Sequence, residues 1–446
     1  MRPLPGPFAQ VTDALIARRT RRSVSRECAP PVTDQPEQDS DQRHPDDRAC
    51  HEQTSVDVVI VGAGISGLAV ADALTRLGMD VAVLEARHRT GGRLLSTPLD
   101  LGATWFWDGE RRVRALTERF GVATFSQHLV GDTIVEDLSG VQRYAGNMID
   151  APSYRYAGGA ATLTDALAAS LPAGTLRLDH PVERISLVAA SITPSQAPTV
   201  DVTARGRTWR APHVVLAVPP AIAVATIELP AELPPELSRL AAATPVWMGQ
   251  VVKIVAVYDE PFWRRDGLAG AAASRRGPMQ EIHDMSGPEG HPAALFGFAP
   301  AALIDADADR AVRDQLTRMF GPQASDPLHI TVANWSTEQW TSPAPRVADS
   351  GATGPAPIDY GLFGHPNYQQ PGLDGRLHWA ATETATAYPG HVEGALEAAE
   401  RVVADIRTGL LDRTTDGPTS SASEDTRTAP TRAVHESATS CGTVPG

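Results

Sequence analysis

Hydrophobic and polar positions along this chain fall into a few short, strongly patterned blocks. Residues 56–61 (VDVVIV) are a β-branched run, the composition of a strand buried on both faces of a parallel sheet. The run ends in Gly62-Ala63-Gly64-Ile65-Ser66-Gly67. Residues 68–77 follow with helical patterning and the small side chains Ala69, Ala71 and Ala73 for close packing, and Gly78 stops the helix. A second strand-like run, 81–84, leads into Glu85. Residues 182–185, 214–218 and 377–380 read as further strands, the last followed by a polar turn and a helix from about Val392 to Ile406. Between them lies 250–258 (QVVKIVAVY), a strand-like run with a single charge in it. The two ends lack such blocks, so 1–54 and 412–446 read as disordered tails around a folded unit of 55–411.

Composition sharpens one point. The chain has 39 Lys+Arg, and Lys253 is the only lysine. Where arginine replaces lysine everywhere else, the surviving lysine belongs where a guanidinium fails: a place for a compact ammonium or for a charge that can lose its proton. Lys253 sits inside the apolar 250–258 run, where a charge is costly unless something polar faces it. The formal charge of -14, with no basic stripe, argues against nucleic acid as a partner. The three cysteines, Cys28, Cys50 and Cys441, lie in the tails, so no disulfide framework holds the core, and Cys50-His51 has no second pair to make a zinc site. The Arg18-Arg19 pair is not followed by a signal-length apolar run, and 214–227 is too short and Pro-broken to span a bilayer. A cytoplasmic protein without membrane attachment is expected.

The first block carries chemistry. Gly62 permits a tight turn, Gly64 lets a pyrophosphate approach the backbone, and Gly67 lets helix and strand pack closely. The helix N-terminus offers free N–H groups to phosphate, and Glu85 can accept both ribose hydroxyls, which disfavours a 2′-phosphate and hence NADP. Arg87, Arg89 and Arg93 around Gly91-Gly92 suit a pyrophosphate gripped from two sides, as in FAD. With these residues in place, the string VVIVGAGISGLAVADALTRLGMDVAVLEARHRTGGR and the following Asp100-Leu101-Gly102 resemble the flavin-containing amine oxidoreductases, the monoamine and polyamine oxidase family.

Two more segments carry the resemblance: residues 377–395, around Thr382-Glu383 and Tyr388-Pro389-Gly390-His391-Val392, and residues 245–263, around Lys253. The resemblance implies an α/β fold: a discontinuous FAD-binding Rossmann-like domain (GR2-type, p-hydroxybenzoate-hydroxylase-like; 55–135, 175–240 and 374–411) with a mixed-sheet α+β substrate domain (136–174 and 241–373). It implies FAD contacts from Gly62, Gly64, Ile65, Ser66, Gly67, Glu85, Ala86, Arg87, Gly92, Arg93, Gly102, Ala103, Thr104, Thr382, Glu383 and Val392, with Val182 reaching the adenine by its backbone. Lys253 is implied to hold a water at flavin N5. His391 is implied to line the amine's cage and accept its proton, with Tyr388, Trp335 and more weakly Tyr360 as further cage residues.

The chain departs from the family in three ways. No cysteine lies between Cys50 and Cys441, so FAD is expected to be non-covalent. One cage tyrosine falls on His391. Between Arg143 and Tyr154 a long helical part of the family's substrate domain is missing, so the substrate domain should be reduced and its cavity smaller, more open or rebuilt from 264–334. The implied reaction is oxidation of an amine's C–N bond by hydride transfer to flavin N5, with O2 giving H2O2. The alternatives are a desaturase or C–C oxidase of secondary metabolism and a non-catalytic flavoprotein. A homodimer is a possible assembly.

Overall fold

The computed structural model describes residues 53–189, 198–343 and 360–415. Five parallel strands form its first sheet, in the order Leu377–Trp379, His213–Leu216, Val58–Val61, Val81–Leu84 and Leu176–Arg177. Both faces are covered, which is why these strands read as unbroken apolar runs. Val58, Ile60, Val81, Val83 and Val215 pack under the helices Ile65–Arg76, Arg111–Phe120, Ala161–Ser170 and Val392–Thr415. Val59, Val61, Ala82 and Leu84 point the other way, into a core shared with Val182, Ile185, Val200, Val202 and Trp209. Those residues belong to a four-stranded sheet of Gln53–Ser55, Arg207–Ala211, Thr199–Ala204 and Val182–Val188.

The second large sheet is mixed and seven-stranded, in the order His329–Asn334, Val251–Tyr258, Ala293–Pro300, Glu281–Asp284, Leu268–Ser274, Asp132–Asp137 and Gly140–Tyr144. The helix Ala308–Phe320 packs on one face through Val312, Leu316, Met319 and Phe320. On the other face Val255, Phe296, Ala294 and Met285 meet Leu101. This is the face that meets the dinucleotide-binding part of the chain.

Several sequence boundaries shift. Gln53–Ser55, which the sequence reading put in the tail, pairs with Arg207–Ala211, and the last helix continues to Thr415. The remainder of both expected tails lies outside the described residues. The first helix starts at Ile65 rather than Leu68, because Gly64, extended at φ -73° and ψ 177°, is its N-cap. Strand Asp132–Asp137 pairs with Leu268–Ser274 in the seven-stranded sheet, whereas Leu163 and Leu167 of the helix Ala161–Ser170 pack in the dinucleotide layer. The reading 55–135 and 136–174 cuts that strand at 135 and assigns the helix to the substrate domain. A strand and a helix can be recognised by period, but which sheet they join is a long-range matter. Residues 145–153 form a helix-free connector between Gly140–Tyr144 and Tyr154–Tyr156.

Candidate active site

A cavity of about 440 Å3 runs from the carboxyl ends of the parallel strands to the inner face of the seven-stranded sheet. Gly62, Gly64, Ile65 and Ser66 line one end with Glu85, Arg87, Gly92 and Arg93. Glu85 is buried, accepting from the Ala63 amide at 2.7 Å and the Arg87 amide at 2.9 Å. Arg87 is drawn between Glu85 at 3.5 Å and Glu338, with Thr341 Oγ1 at 2.8 Å. Arg93 forms a two-pronged pair with the buried Glu383 at 2.6 and 3.0 Å.

Gly64 decides whether a dinucleotide fits here. A Cβ built on it meets no atom within 4 Å, and its φ of -73° is open to any residue. Nothing in the chain's own packing needs glycine there; the vacant space beside a helix N-terminus is what a phosphate fills. Gly67 differs: its Cβ would lie 2.0 Å from the Gly62 carbonyl oxygen, so it serves strand–helix packing. The residues present therefore fit FAD, with Glu85 for the ribose and the 62–67 turn for the pyrophosphate.

At the other end of the cavity stands Lys253, 2% exposed. Its strand pairs Lys253 with Phe298, and Phe298 pairs in turn with Glu281, so the three share one face in a row across adjacent strands. Two of the three ammonium hydrogens are spent: Nζ donates to the Gly102 carbonyl at 3.0 Å and to Thr104 Oγ1. The Phe296 ring lies 4.3 Å from Nζ. Burial pulls the ammonium down to about 7, against the opposing field of Asp100. Asp100, of the Asp100-Leu101-Gly102 turn, is itself raised by burial.

The cavity wall between these ends is rich in tryptophan. Trp105, Trp107, Trp247, Trp335 and Trp340 are five of the chain's eight. Trp335 Nε1 donates to the Leu101 carbonyl at 2.9 Å, which fixes that ring against the Lys253 loop. His391 also lines the cavity, with ring centroids 5.2 Å from Trp107 and 6.2 Å from Trp247. The close approach of Trp247 depends on Gly390, whose Cβ would lie 2.5 Å from the indole. His391 Nδ1 meets Glu110 Oε1 at 2.6 Å. Thr382 Oγ1 donates to the His391 carbonyl at 2.8 Å and accepts from the Gly390 amide at 2.9 Å, holding this turn.

Of the residues the sequence nominated, Gly102, Ala103, Thr104, Lys253, Trp335, Thr382, His391 and Val392 join the nucleotide-end group around one cavity. Six do not line it. Gly67 is a packing position, Ala86 is half-buried, and Glu383 acts from beneath through Arg93 and the Trp247 amide. Val182 is buried in the core between the two sheets of the dinucleotide part, where its neighbours are apolar. Tyr388 is 44% exposed, with a left-handed backbone that turns its ring toward Gly109. Tyr360 packs behind Trp247 at 5.0 Å. The aromatic wall is thus indole and imidazole rather than phenol. Trp105, Trp107, Trp247 and Glu110 were missed. A signal existed for Trp107 and Trp247, which lie five residues beyond Gly102 and six before Lys253.

A dinucleotide turn, a buried lysine facing it across a cavity and an aromatic wall define a flavin-dependent oxidoreductase. Residues 132–407 match the model for flavin containing amine oxidoreductases and residues 60–120 that for an NAD(P)-binding Rossmann-like domain. The first match spans more than half of the chain, which belongs to the flavin-containing amine oxidase family, with FAD as its cofactor. Among its relatives is a probable flavin-containing monoamine oxidase A of Dictyostelium discoideum, 26% identical over 470 aligned positions that cover 80% of this chain and 99% of the relative. A putrescine oxidase of Kocuria rosea is 24% identical, covering 81% and 97%. The solved structure of a putrescine oxidase bound to putrescine superposes with a TM-score of 0.67 at 22% identity, over 80% of this chain and 100% of that one. Cyclohexylamine oxidase from Brevibacterium oxydans IH-35A superposes with a TM-score of 0.68 at 22% identity, over 80% and 99%. No described helix is long and apolar enough to cross a membrane.

Proposed function

We propose that this protein oxidises the C–N bond of a small amine at a non-covalently held FAD and passes the electrons to O2, releasing H2O2. Bound FAD would supply the electron chemistry, taking a hydride from the amine's α-carbon at N5. The observation that carries the reading is Lys253: the only lysine of the chain, buried, at the junction of the Asp100-Leu101-Gly102 turn and the cavity. With Gly102 and Thr104 taking two of its donors, the third is left for a water between Nζ and the flavin. Gly64 and the 62–67 turn would hold the pyrophosphate and Glu85 the ribose, while Arg93 and Glu383 brace the turn that carries Trp247. Trp107, Trp247 and His391 would flank the amine and keep water from it. The positive end of the helix Val392–Thr415 would favour negative charge on whatever lies before it.

The absence of cysteine among the described residues supports non-covalent FAD. The helix-free connector 145–153 supports a reduced substrate domain, with the cavity walled instead by Glu281 and Phe298 of the mixed sheet. An indole flanking an amine contributes about 1–2 kcal/mol by cation–π contact and burial. Trp247→Ala is therefore expected to raise KM about tenfold with a smaller change in kcat, read from steady-state H2O2 formation.

The deciding experiment is anaerobic. The purified protein is expected to be yellow and to bleach with at least one member of a panel of primary, secondary and cyclic amines. A yellow protein that no amine bleaches would overturn this reading in favour of a desaturase or C–C oxidase.

A further inference from the structure

Most buried carboxylates among the described residues are neutralised by an arginine. Asp72 pairs with Arg119 at 2.6 Å, Glu136 with Arg318 at 2.7 Å, Asp284 with Arg264 at 2.8 Å, Glu383 with Arg93 at 2.6 Å and Glu393 with Arg112 at 3.1 Å. Glu85 has Arg87 and two amides, and Asp100 has Ser96, the Ala160 amide and the field of Lys253. Glu110, with its side chain 1% exposed, has an imidazole in place of an arginine, as Asp150 has in His283, but only the Glu110 imidazole lines the cavity. Its partners are His391 Nδ1 at 2.6 Å and the Trp107 amide at 3.2 Å. An arginine would hold this charge permanently; an imidazole holds it only conditionally, because it gains and loses a proton near neutrality.

The imidazole is placed where such a proton is needed. Its ring lines the cavity between Trp107 and Trp247, and its side chain is 33% exposed. Donation from Nδ1 to Glu110 fixes the tautomer and leaves the lone pair on Nε2, which has no protein partner among the described residues. Two opposing fields act on the ring. The helix end at Val392 disfavours a cation beside it, and Glu110 favours one at 2.6 Å. The remaining neighbours are the Tyr388 phenol on the same turn, 6.2 Å away ring to ring, and the Arg93–Glu383 pair behind Trp247. Beyond Glu110, the buried Tyr156 phenol, raised by burial and then by Glu110, adds no positive charge. The contact with the Glu110 carboxylate is the shortest of these.

An alkylamine arrives as an ammonium, since its ionisation lies near that of lysine, about four pH units above that of imidazole. It must lose a proton before its C–N bond can be oxidised, because the nitrogen lone pair is otherwise unavailable. We propose that Glu110 and His391 form a proton-accepting dyad for the substrate ammonium. His391 is the catalytic residue, and Glu110 positions its ring and stabilises the imidazolium. In the step, an N–H bond of the ammonium breaks and its electron pair stays on nitrogen. A bond forms from the proton to Nε2, the charge is shared with Glu110, and the proton later leaves to water from the partly exposed ring. The proposal rests on the amine-oxidase reading and adds to it the residue that sets its pH dependence.

The test is the rate of anaerobic bleaching of the FAD-bound protein from pH 5.5 to 10, with cyclohexylamine, putrescine and benzylamine as probes. In the wild-type protein the rate is expected to rise with pH through an acid limb that belongs to the dyad. Glu110→Gln keeps the shape and removes the charge, so the limb should move to lower pH and the limiting rate should fall about tenfold. With His391→Gln the rate at neutral pH should fall about 10²-fold, and the limb near neutrality should give way to a continuous rise toward pH 10 that follows the free-amine fraction. Added imidazole should restore part of the rate to His391→Ala. A Glu110→Gln profile that superimposes on the wild type, or a His391→Gln profile that keeps the wild-type limb near neutrality and the wild-type rate, would overturn the dyad alone. If Glu110→Gln loses its flavin, the His391→Gln profile decides. Failure of every amine to bleach the wild-type protein would overturn the amine-oxidase reading and the dyad with it.

Discussion

Lys253→Met is expected to keep FAD bound and to be bleached by substrate, yet to react with O2 at least about 10²-fold more slowly than the wild-type protein. The side chains are similar in length, so the strand and its neighbours at Phe298 and Ala333 need not move. What disappears is a positive charge in a water-poor site, and removing one such preorganised group typically costs about 10²–10³ in rate. Arginine would not restore it: the fork is larger than the space between Gly102, Thr104 and the Phe296 ring. Mixing the reduced protein with O2 in a stopped-flow instrument gives the rate constant directly. Equal rates for variant and wild type would refute the role assigned to Lys253.

The same substitution has a stability signature of opposite sign. Lys253 ionises near pH 7 in the fold and near 10.5 in the unfolded chain. Between those values the unfolded chain binds the extra proton, so stability rises with pH across that window. Below pH 7 the full penalty applies, at most about 5 kcal/mol at about 1.4 kcal/mol per pH unit. Methionine removes the penalty but leaves the Gly102 carbonyl and the Thr104 hydroxyl without that donor, an offset of about 1–3 kcal/mol. Flavin-stripped Lys253→Met should therefore be more stable than wild type at pH 6 and should lose that advantage by pH 10, as read from urea midpoints. An advantage independent of pH would mean that Lys253 is not a buried cation.

The second large effect concerns Gly64. Gly64→Val is expected to fold and to lose FAD affinity by about 10³-fold. Its backbone, at φ -73° and ψ 177°, is comfortable for a β-branched residue, and its Cβ meets nothing in the protein. The added side chain instead occupies the approach to the first turn of the helix, displacing a phosphate from two charge-assisted amide bonds of about 1.5–3 kcal/mol each. Gly67→Ala is the contrast: a Cβ 2.0 Å from the Gly62 carbonyl should cost the fold itself. Far-ultraviolet circular dichroism with flavin titration separates the two. A Gly64→Val protein that binds FAD normally would place the pyrophosphate elsewhere.

Local chemistry accounts for what was legible beforehand. The glycine turn, Glu85 at the end of the second strand and the strand–turn–helix after Leu377 are contiguous in sequence, and each carries its reason within a few residues. The lone lysine was legible as well, since a charge kept within an apolar run is a local contradiction that calls for a partner. Tyr388 shows the limit of such reading: its segment matched, but its ring turns toward Gly109 and does not line the cavity, because whether a side chain reaches a cavity depends on the backbone turn beneath it.

By itself, then, the sequence determined the dinucleotide turn, the acid at the end of the second strand, the lone lysine in an apolar strand and the helix-free connector, because each is a statement about neighbours along the chain. Only the tertiary structure decided what those residues face. Glu110 and His391 are 281 positions apart, Arg93 and Glu383 290, and Lys253 and Thr104 149. Such pairs are set by how two sheets close over one cavity, and burial makes their charges matter. The seven-stranded sheet presents Lys253 and the glycine turn presents the nucleotide end. The indoles line the cavity between them.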